Sequence, residues 1–273
     1  MQSVNIKVSI ITCTLDSEKY LAQCLESVKA QTYKNIEHIF VDGESTDHTL
    51  NIIKKYYLRP IIISRKPQGI YDALNSGLEL ATGEVVGILH SDDLYYDKQC
   101  LARIADSFQK NHQLAYYCSK MIIHDENLET PFAVLGARPH KQTLRDQLYS
   151  STYFAHPTYY LSRAILNKVG KYNVEYKIAA DIDWLIRLEK LNLSFYFDNK
   201  PLIKFRSSGR SVKKYFLALR EEFIIRKRLE GLSINLILVY IYHFARRFIR
   251  YILEFLGLDV FVALGRKAIA KFN

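Results

Sequence analysis

Between residues 7 and 110 the chain alternates four short apolar runs with four amphipathic stretches, and few folds accept that pattern. The runs at 7–12, 36–41, 61–64 and 85–89 have strand length and are rich in Ile and Val. The stretches at 18–31, 49–56, 71–81 and 98–110 carry helical spacing. Such alternation predicts an α/β domain, a mainly parallel central sheet flanked by helices. Residues 115–118 with 121–123 predict another strand. The stretch 125–152 has weak periodicity and reads as loop-rich. Further on, 162–169 and 181–191 predict helices, and 194–197 and 202–205 predict two strands. Apolar residues make up 49% of the 273, enough for a large core. The dispersed Cys13, Cys24, Cys100 and Cys118 form no C-x-x-C pair and read as reduced thiols of a cytosolic protein. A strand beginning near Val8 predicts that there is no signal peptide.

The fourth run ends abruptly. Val85-Val86-Gly87-Ile88-Leu89 leads through His90-Ser91 into Asp92-Asp93. Ligands of open α/β sheets gather at the carboxyl ends of strands. Two adjacent carboxylates there suit a divalent cation and, through it, a diphosphate. Capping the next helix needs only one Asp.

Three other segments carry chemistry. Val41-Asp42-Gly43-Glu44-Ser45-Thr46-Asp47 follows a strand and opens a helix. Its Asp42 is placed to accept from a nucleobase or ribose, and Ser45, Thr46 or Asp47 is a candidate helix cap. In Gln68-Gly69-Ile70-Tyr71-Asp72-Ala73-Leu74-Asn75, Gly69 permits close backbone approach to a ligand, and Asp72 and Asn75 share a helix face. In Ala180-Asp181-Ile182-Asp183-Trp184, each Asp is a candidate cap or a carboxylate base, and Asp183 can pair with Arg187 at i,i+4. His156, before Pro157, is either an acid/base group or a satisfied structural histidine.

Together these segments resemble the family 2 glycosyltransferases of the GT-A fold, in a bacterial polysaccharide-assembly branch, over about residues 6–210. Ser9-Ile10-Ile11-Thr12 resembles the opening strand, and Val41 to Asp47 resembles the Val-Asp-Asp-Gly-Ser-x-Asp element. The resemblance implies that Thr12, Asp42, Gly69, Asp72 and Asp92 line the nucleotide-sugar site. Asp42 would meet the uracil or guanine base. Asp93 would be the direct ligand of Mg²⁺ or Mn²⁺, and Asp181 the general base, with Asp183 its alternative. Ser207-Ser208-Gly209-Arg210-Ser211 resembles a Gly-rich loop from which Arg206 or Arg210 would reach the diphosphate. The chemistry implied is a single inverting transfer of one sugar, a hexose or hexosamine, from a UDP-sugar, with a GDP-sugar as the alternative. The acceptor implied is a hydroxyl of a lipid-linked oligosaccharide or surface polysaccharide. A non-catalytic nucleotide-sugar-binding scaffold is the rival from another class. Two departures stand out: Gly43 replaces the second Asp of the element, and Ala180 replaces a Glu. The absence of a Gln-x-x-Arg-Trp motif argues against a processive polymerase.

The net charge of +10 sits at the end of the chain. Residues 203–273 hold 15 Lys and Arg against 5 Asp and Glu. This predicts a catalytic domain over 1–210 and a basic amphipathic helical extension over 211–273. Helices are expected from Val212 on, broken near Gly231 and Gly257, with one basic amphipathic helix over 233–255 and another over 260–272. An uninterrupted apolar stretch of about a dozen residues is too short to span a bilayer. Abundant Ile, Leu and Phe beside Arg246, Arg247 and Arg250 suit an anionic membrane surface better than nucleic acid. The expectation is a cytoplasmic protein peripheral to the inner face of the plasma membrane. A homodimer is the competing use of the same helices.

Overall fold

The computed structural model describes residues 5–66, 68–136, 156–207 and 215–255. The chain divides into two compact units, Met1–Ser208 and Gly209–Asn273. The first is built on a nine-stranded sheet. Its strands are β1 (Val8–Thr14), β2 (Ile36–Asp42), β3 (Ile61–Ser64), β4 (Val85–Ile88), β5 (Leu94–Tyr95), β6 (Tyr116–His124), β7 (Pro131–Leu135), β8 (Tyr160–Ser162) and β9 (Phe195–Arg206). Their order is β3-β2-β1-β4-β8-β6-β9-β5, with β7 alongside β6. The first unit's helices are α1 (Glu18–Lys29), α2 (Thr49–Tyr56), α3 (Ile70–Leu80), α4 (Cys100–Lys110), α5 (Arg163–Val169) and α6 (Ala180–Lys190).

The half of the sheet expected from the βα alternation, β3-β2-β1-β4, is wholly parallel. Its central strand β1 is buried at all seven positions, as a strand covered on both faces must be, and so reads Val-Ser-Ile-Ile-Thr-Cys-Thr without polar alternation. The other half is mixed: β9 runs parallel to β6, while β8, β7 and β5 pair antiparallel to their neighbours. The two strands expected at 194–197 and 202–205 are one strand, β9. Its register against β6 slips where Asn199-Lys200-Pro201 intervenes, because a proline without an N–H is tolerated at an irregularity rather than in a regular ladder. The stretch 125–152 is not uniformly loop. It contains β7, whose five residues are too few to show a period, and positions 137–152 lie outside the described residues.

The parallel pairing matters for the site. Thr14 lies opposite Asp42, and Ile11 opposite Ile88, so the carboxyl ends of β1, β2 and β4 open on one edge. Helix α3 seats itself against this layer through Gly77, where a Cβ would stand 2.4 Å from Ile11 Cγ2. That close approach carries Gly69 to Asn75 to the same edge. The main core gathers Val8, Ile10, Val85, Leu89, Ile104, Tyr117 and Tyr160 beneath it. The four cysteines are free and buried.

The second unit contains α7 (Tyr215–Glu230) and α8 (Ile234–Phe255). Gly231, at φ 84°, supplies the left-handed turn between them, and Ser233 accepts the Leu236 N–H to cap α8. Phe223 packs on Tyr240 at 4.7 Å between ring centres. Ile234, Leu238, Ile241, Phe248 and Ile249 of α8 are exposed. Among the described residues no helix is long and apolar enough to cross a membrane. Gly257 and the helix expected at 260–272 lie outside them.

Candidate active site

The β4–β5 turn holds the carboxylate pair. The Asp93 N–H donates to the His90 carbonyl at 3.1 Å, and Arg206 Nε donates to the Asp92 carbonyl at 2.8 Å. The Asp92 side chain is half-buried. Asp93 is fully buried, and neither of its carboxylate oxygens has a hydrogen-bond partner. Burial, reinforced by the neighbouring Asp92 charge, pushes the Asp93 carboxyl well above the usual carboxylate range. A buried carboxyl with both oxygens unmet is costly and rare in a native interior. It fits a divalent cation, which would supply the charge and the ligation that these oxygens lack. Among the described residues no third His, Cys, Asp or Glu joins them. Mg²⁺ commonly takes one or two carboxylates and completes its coordination with substrate oxygens and water.

Asp42 is also fully buried, and its lone pairs are taken. Oδ1 accepts from Thr14 Oγ1 (2.9 Å) and Ser45 Oγ (2.6 Å), and Oδ2 from the Ser45 N–H (2.9 Å) and Ser64 Oγ (3.3 Å). Its carboxylate folds the 43–47 loop and faces inward, with no acceptor presented to a base. None of Ser45, Thr46 and Asp47 is the N-cap of α2; that position is His48. Asp47 nonetheless accepts from the Thr49 and Glu18 N–H groups, one at the start of each helix, α2 and α1. Thr12, expected at the nucleotide, lies inside the sheet instead. Its hydroxyl donates to the Leu89 carbonyl at 2.8 Å and accepts from His38 Nε2 at 2.9 Å.

Gly69 sits at φ 121°, with no atom within 4 Å of where a Cβ would be, so the backbone there is both left-handed and open. Asp72 is half-buried. Its carboxyl is held below the usual range by the Gln68 N–H and by Arg65, which pairs with it at 3.0 Å. Asn75 faces away from ligand space: it exchanges two hydrogen bonds with the Tyr172 backbone and is buried. Sequence pattern alone does not point to Arg65 or Tyr71. Arg65 follows β3 directly and donates its N–H to the Asp42 carbonyl, so an Arg just past a strand end is the one signal that could have found it. Tyr71 gives none.

The two aspartates of α6 separate cleanly, and neither is the cap, which falls on Ala179. Asp183 is buried and paired with Arg187 at 2.9 Å, as the i,i+4 spacing predicts. Asp181 is half-buried, and the single Tyr71 hydroxyl proton is shared between the Ile178 carbonyl at 2.6 Å and Asp181 Oδ1 at 3.1 Å. His156 is structural. It is buried against Tyr172 and Trp184, its Nε2 bonds the Tyr172 hydroxyl at 2.6 Å, and burial lowers its pKa to about 3. Arg206 is buried and bonded away from solvent, so it does not reach a diphosphate. Arg210 lies outside the described residues. The sheet edge thus collects Asp42, Arg65, Gly69, Asp72 and the Asp92–Asp93 turn. Tyr71 ties Asp181 to the helix that carries Asp72.

A family model for glycosyl transferase family 2 matches residues 9–170, more than half of the chain. The chain belongs to that family. It is accordingly a glycosyltransferase. It is 33% identical over 183 residues to a "PGL/p-HBAD biosynthesis glycosyltransferase" of Mycobacterium bovis, covering 66% of this chain and 68% of the relative. It is 30% identical to an uncharacterised glycosyltransferase of Rickettsia typhi over 79% of this chain and 69% of that one. Among solved structures, S. aureus TarS in complex with UDP-GlcNAc superposes with a TM-score of 0.62 at 21% identity, over 89% of this chain and 73% of TarS. The mannosyltransferase PcManGT of Pyrobaculum calidifontis, in complex with GDP-Man and Mn²⁺, does so at 0.63 and 16%, over 97% and 83%. These likenesses fix the GT-A fold. The family's Val-Asp-Asp-Gly element puts a glycine where this chain has Glu44, and Glu44 keeps a left-handed φ of 62°. Holding a non-glycine residue there costs about 1 kcal/mol, a cost met by the hydrogen bonds around Asp42 and Asp47.

Proposed function

We propose that this glycosyltransferase moves one sugar, with inversion, from a UDP-sugar to a hydroxyl of a lipid-linked or surface-polysaccharide acceptor, and that it needs Mg²⁺ or Mn²⁺. The carrying observation is Asp93: a buried carboxyl with two unmet oxygens at the edge where the parallel strands end. Asp93, with Asp92, would hold the cation, which neutralises charge developing on the diphosphate leaving group. Gly69 lends open backbone to the donor, and the Asp72–Arg65 pair flanks it with a half-exposed guanidinium. Asp42 acts from beneath, by shaping the nucleoside loop. Asp181 is the base that takes the proton of the attacking hydroxyl, because Asp183 is already committed to Arg187. UDP-GlcNAc in TarS supports a UDP donor, and GDP-Man in PcManGT makes a GDP-sugar the competing choice.

A panel of UDP-, GDP- and dTDP-sugars with Mn²⁺ tests this reading by thermal stabilisation and by slow donor hydrolysis. One donor should stabilise and be hydrolysed. Asp181→Asn should keep donor binding and lose transfer by ~10²-fold or more. Equal transfer by Asp181→Asn would remove it as base, and binding without turnover in the wild type would favour a scaffold.

We also propose that the enzyme works at the inner face of the plasma membrane, with the exposed apolar side chains of α8 in the interface and the basic residues of the extension near anionic headgroups. Co-flotation with anionic vesicles, weakened by salt and absent with neutral vesicles, is expected. Concentration-dependent dimerisation without flotation would assign α8 to a subunit interface instead.

A further inference from the structure

Arg206 heads the fully buried side chains of this fold in size, at 1% exposure. A buried charge is normally paired with an opposite one, yet among the described residues Arg206 makes no ion pair. Its donors go to three neutral oxygens on three separate elements. Nε binds the Asp92 carbonyl at 2.8 Å, Nη1 binds the Glu126 carbonyl in the β6–β7 turn, and Nη2 binds Gln23 Oε1 on α1. The guanidinium also covers the Tyr20 ring at 4.2 Å. Glu126 is clamped in turn by Lys19 and the Tyr20 hydroxyl.

We propose that Arg206 is a positioning residue for the cation site: its planar fork fixes the Asp92 carbonyl, and with it the backbone that aims the two Asp93 oxygens. Its restraint toward Asp93 is the informative part. A bidentate Arg–carboxylate pair would satisfy both oxygens and withdraw them from a cation. By spending its fork on backbone and amide oxygens, Arg206 braces the turn without its guanidinium occupying either Asp93 oxygen, while its nearby charge favours the ionised carboxylate that a cation needs. Lysine lacks the fork and cannot brace three elements at once. This inference rests on the cation reading of Asp93 given above.

The test is the affinity for Mn²⁺ at saturating UDP, measured by calorimetry on the full chain. Wild type, Arg206→Lys, Arg206→Gln and Gln23→Ala are compared, with Asp93→Asn as the reference for a lost site. Both Arg206 variants are expected to weaken Mn²⁺ binding about 10-fold or more, and Gln23→Ala, which removes one of three anchors, by a smaller factor. A residue that only supports the fold would lower the melting temperature and the binding-competent fraction while leaving Mn²⁺ affinity unchanged. Wild-type affinity in Arg206→Lys, or unchanged affinity in every variant, overturns the proposal. If the Arg206 variants do not fold, Gln23→Ala carries the test alone: weaker Mn²⁺ binding supports the proposal, and wild-type affinity overturns it. If wild type and Asp93→Asn bind UDP equally with and without Mn²⁺, the cation reading fails and takes this inference with it.

Discussion

Asp93→Asn is expected to give a protein that is more stable without ligands and almost inactive. The wild-type carboxyl is fully buried with two unmet oxygens. An amide of the same shape carries no charge to desolvate, which should be worth about 1–3 kcal/mol when the wild-type group is ionised. The pH dependence gives the sign. Burial raises the folded-state pKa of Asp93 above its ordinary value of 3.8. Stability from this group is therefore full below about pH 4 and lost as pH rises toward the raised value. Wild type and Asp93→Asn should unfold alike in acid and diverge as the pH climbs, the variant being the more stable. Mn²⁺ with UDP should close that gap for wild type alone, since a ligand that binds only the folded state stabilises it. Activity should fall by roughly 10²-fold or more, the consequence of losing several kcal/mol of charge stabilisation at the leaving group. A variant less stable than wild type at pH 8, or one retaining Mn²⁺-stimulated turnover, would show that Asp93 is an ordinary buried acid.

The same residue shows what a sequence can disclose. An apolar run meeting two carboxylates is a local pattern, so the β4–β5 turn is legible in the order of the residues alone. The βα alternation of the first 110 residues is legible for the same reason, because both periodicities fit within one element. What escapes depends on contacts distant in sequence. Asp42 stands at the expected strand end, but its saturation by Thr14, Ser45 and Ser64 involves three separate elements. Thr12 is near the edge in sequence, and only the folded sheet shows it buried with its hydroxyl on the Leu89 carbonyl. Asp181 and Asp183 look interchangeable in a helix start; the Tyr71 hydroxyl, 110 residues away, and Arg187 tell them apart. Strands β5 and β8 have two and three residues, too short for any pattern to form.

Acidification from pH 7 to pH 5 should draw about 4 kcal/mol of stability from two buried histidines, His38 and His156, with a further loss from His90, whose pKa burial also lowers. His38 is enclosed between Thr12 and Tyr57. The Thr12 hydroxyl donates to Leu89, so it must accept from His38 Nε2–H, which leaves Nδ1 to accept from the Tyr57 hydroxyl at 2.6 Å. That chain uses both ring nitrogens in the neutral form and has no place for a second proton. His156 is enclosed by Tyr172 and Trp184. Burial lowers both pKa values from 6.5 to about 3, with the Lys29 charge acting in the same direction on His38 and any protonation of His90 doing so on His156. A depressed histidine contributes stability that is complete above pH 6.5 and is lost as pH falls toward 3. Each should surrender about 2 kcal/mol by pH 5, out of a total of roughly 5–15 kcal/mol for a typical domain. The buried Glu37, with a pKa of about 2, and the depressed Asp72 and Asp97 release their contributions only below about pH 4.5, outside this window. Asp93 works the other way, since its protonation on acidification is favourable, so the loss should be larger in Asp93→Asn than in wild type. Urea midpoints at pH 7, 6 and 5 check this, with His38→Gln and His156→Gln expected to reduce the slope by similar amounts. A stability flat across that range in Asp93→Asn would mean that both imidazoles accept protons in place, and the hydrogen-bond chain through Thr12 would have to be redrawn.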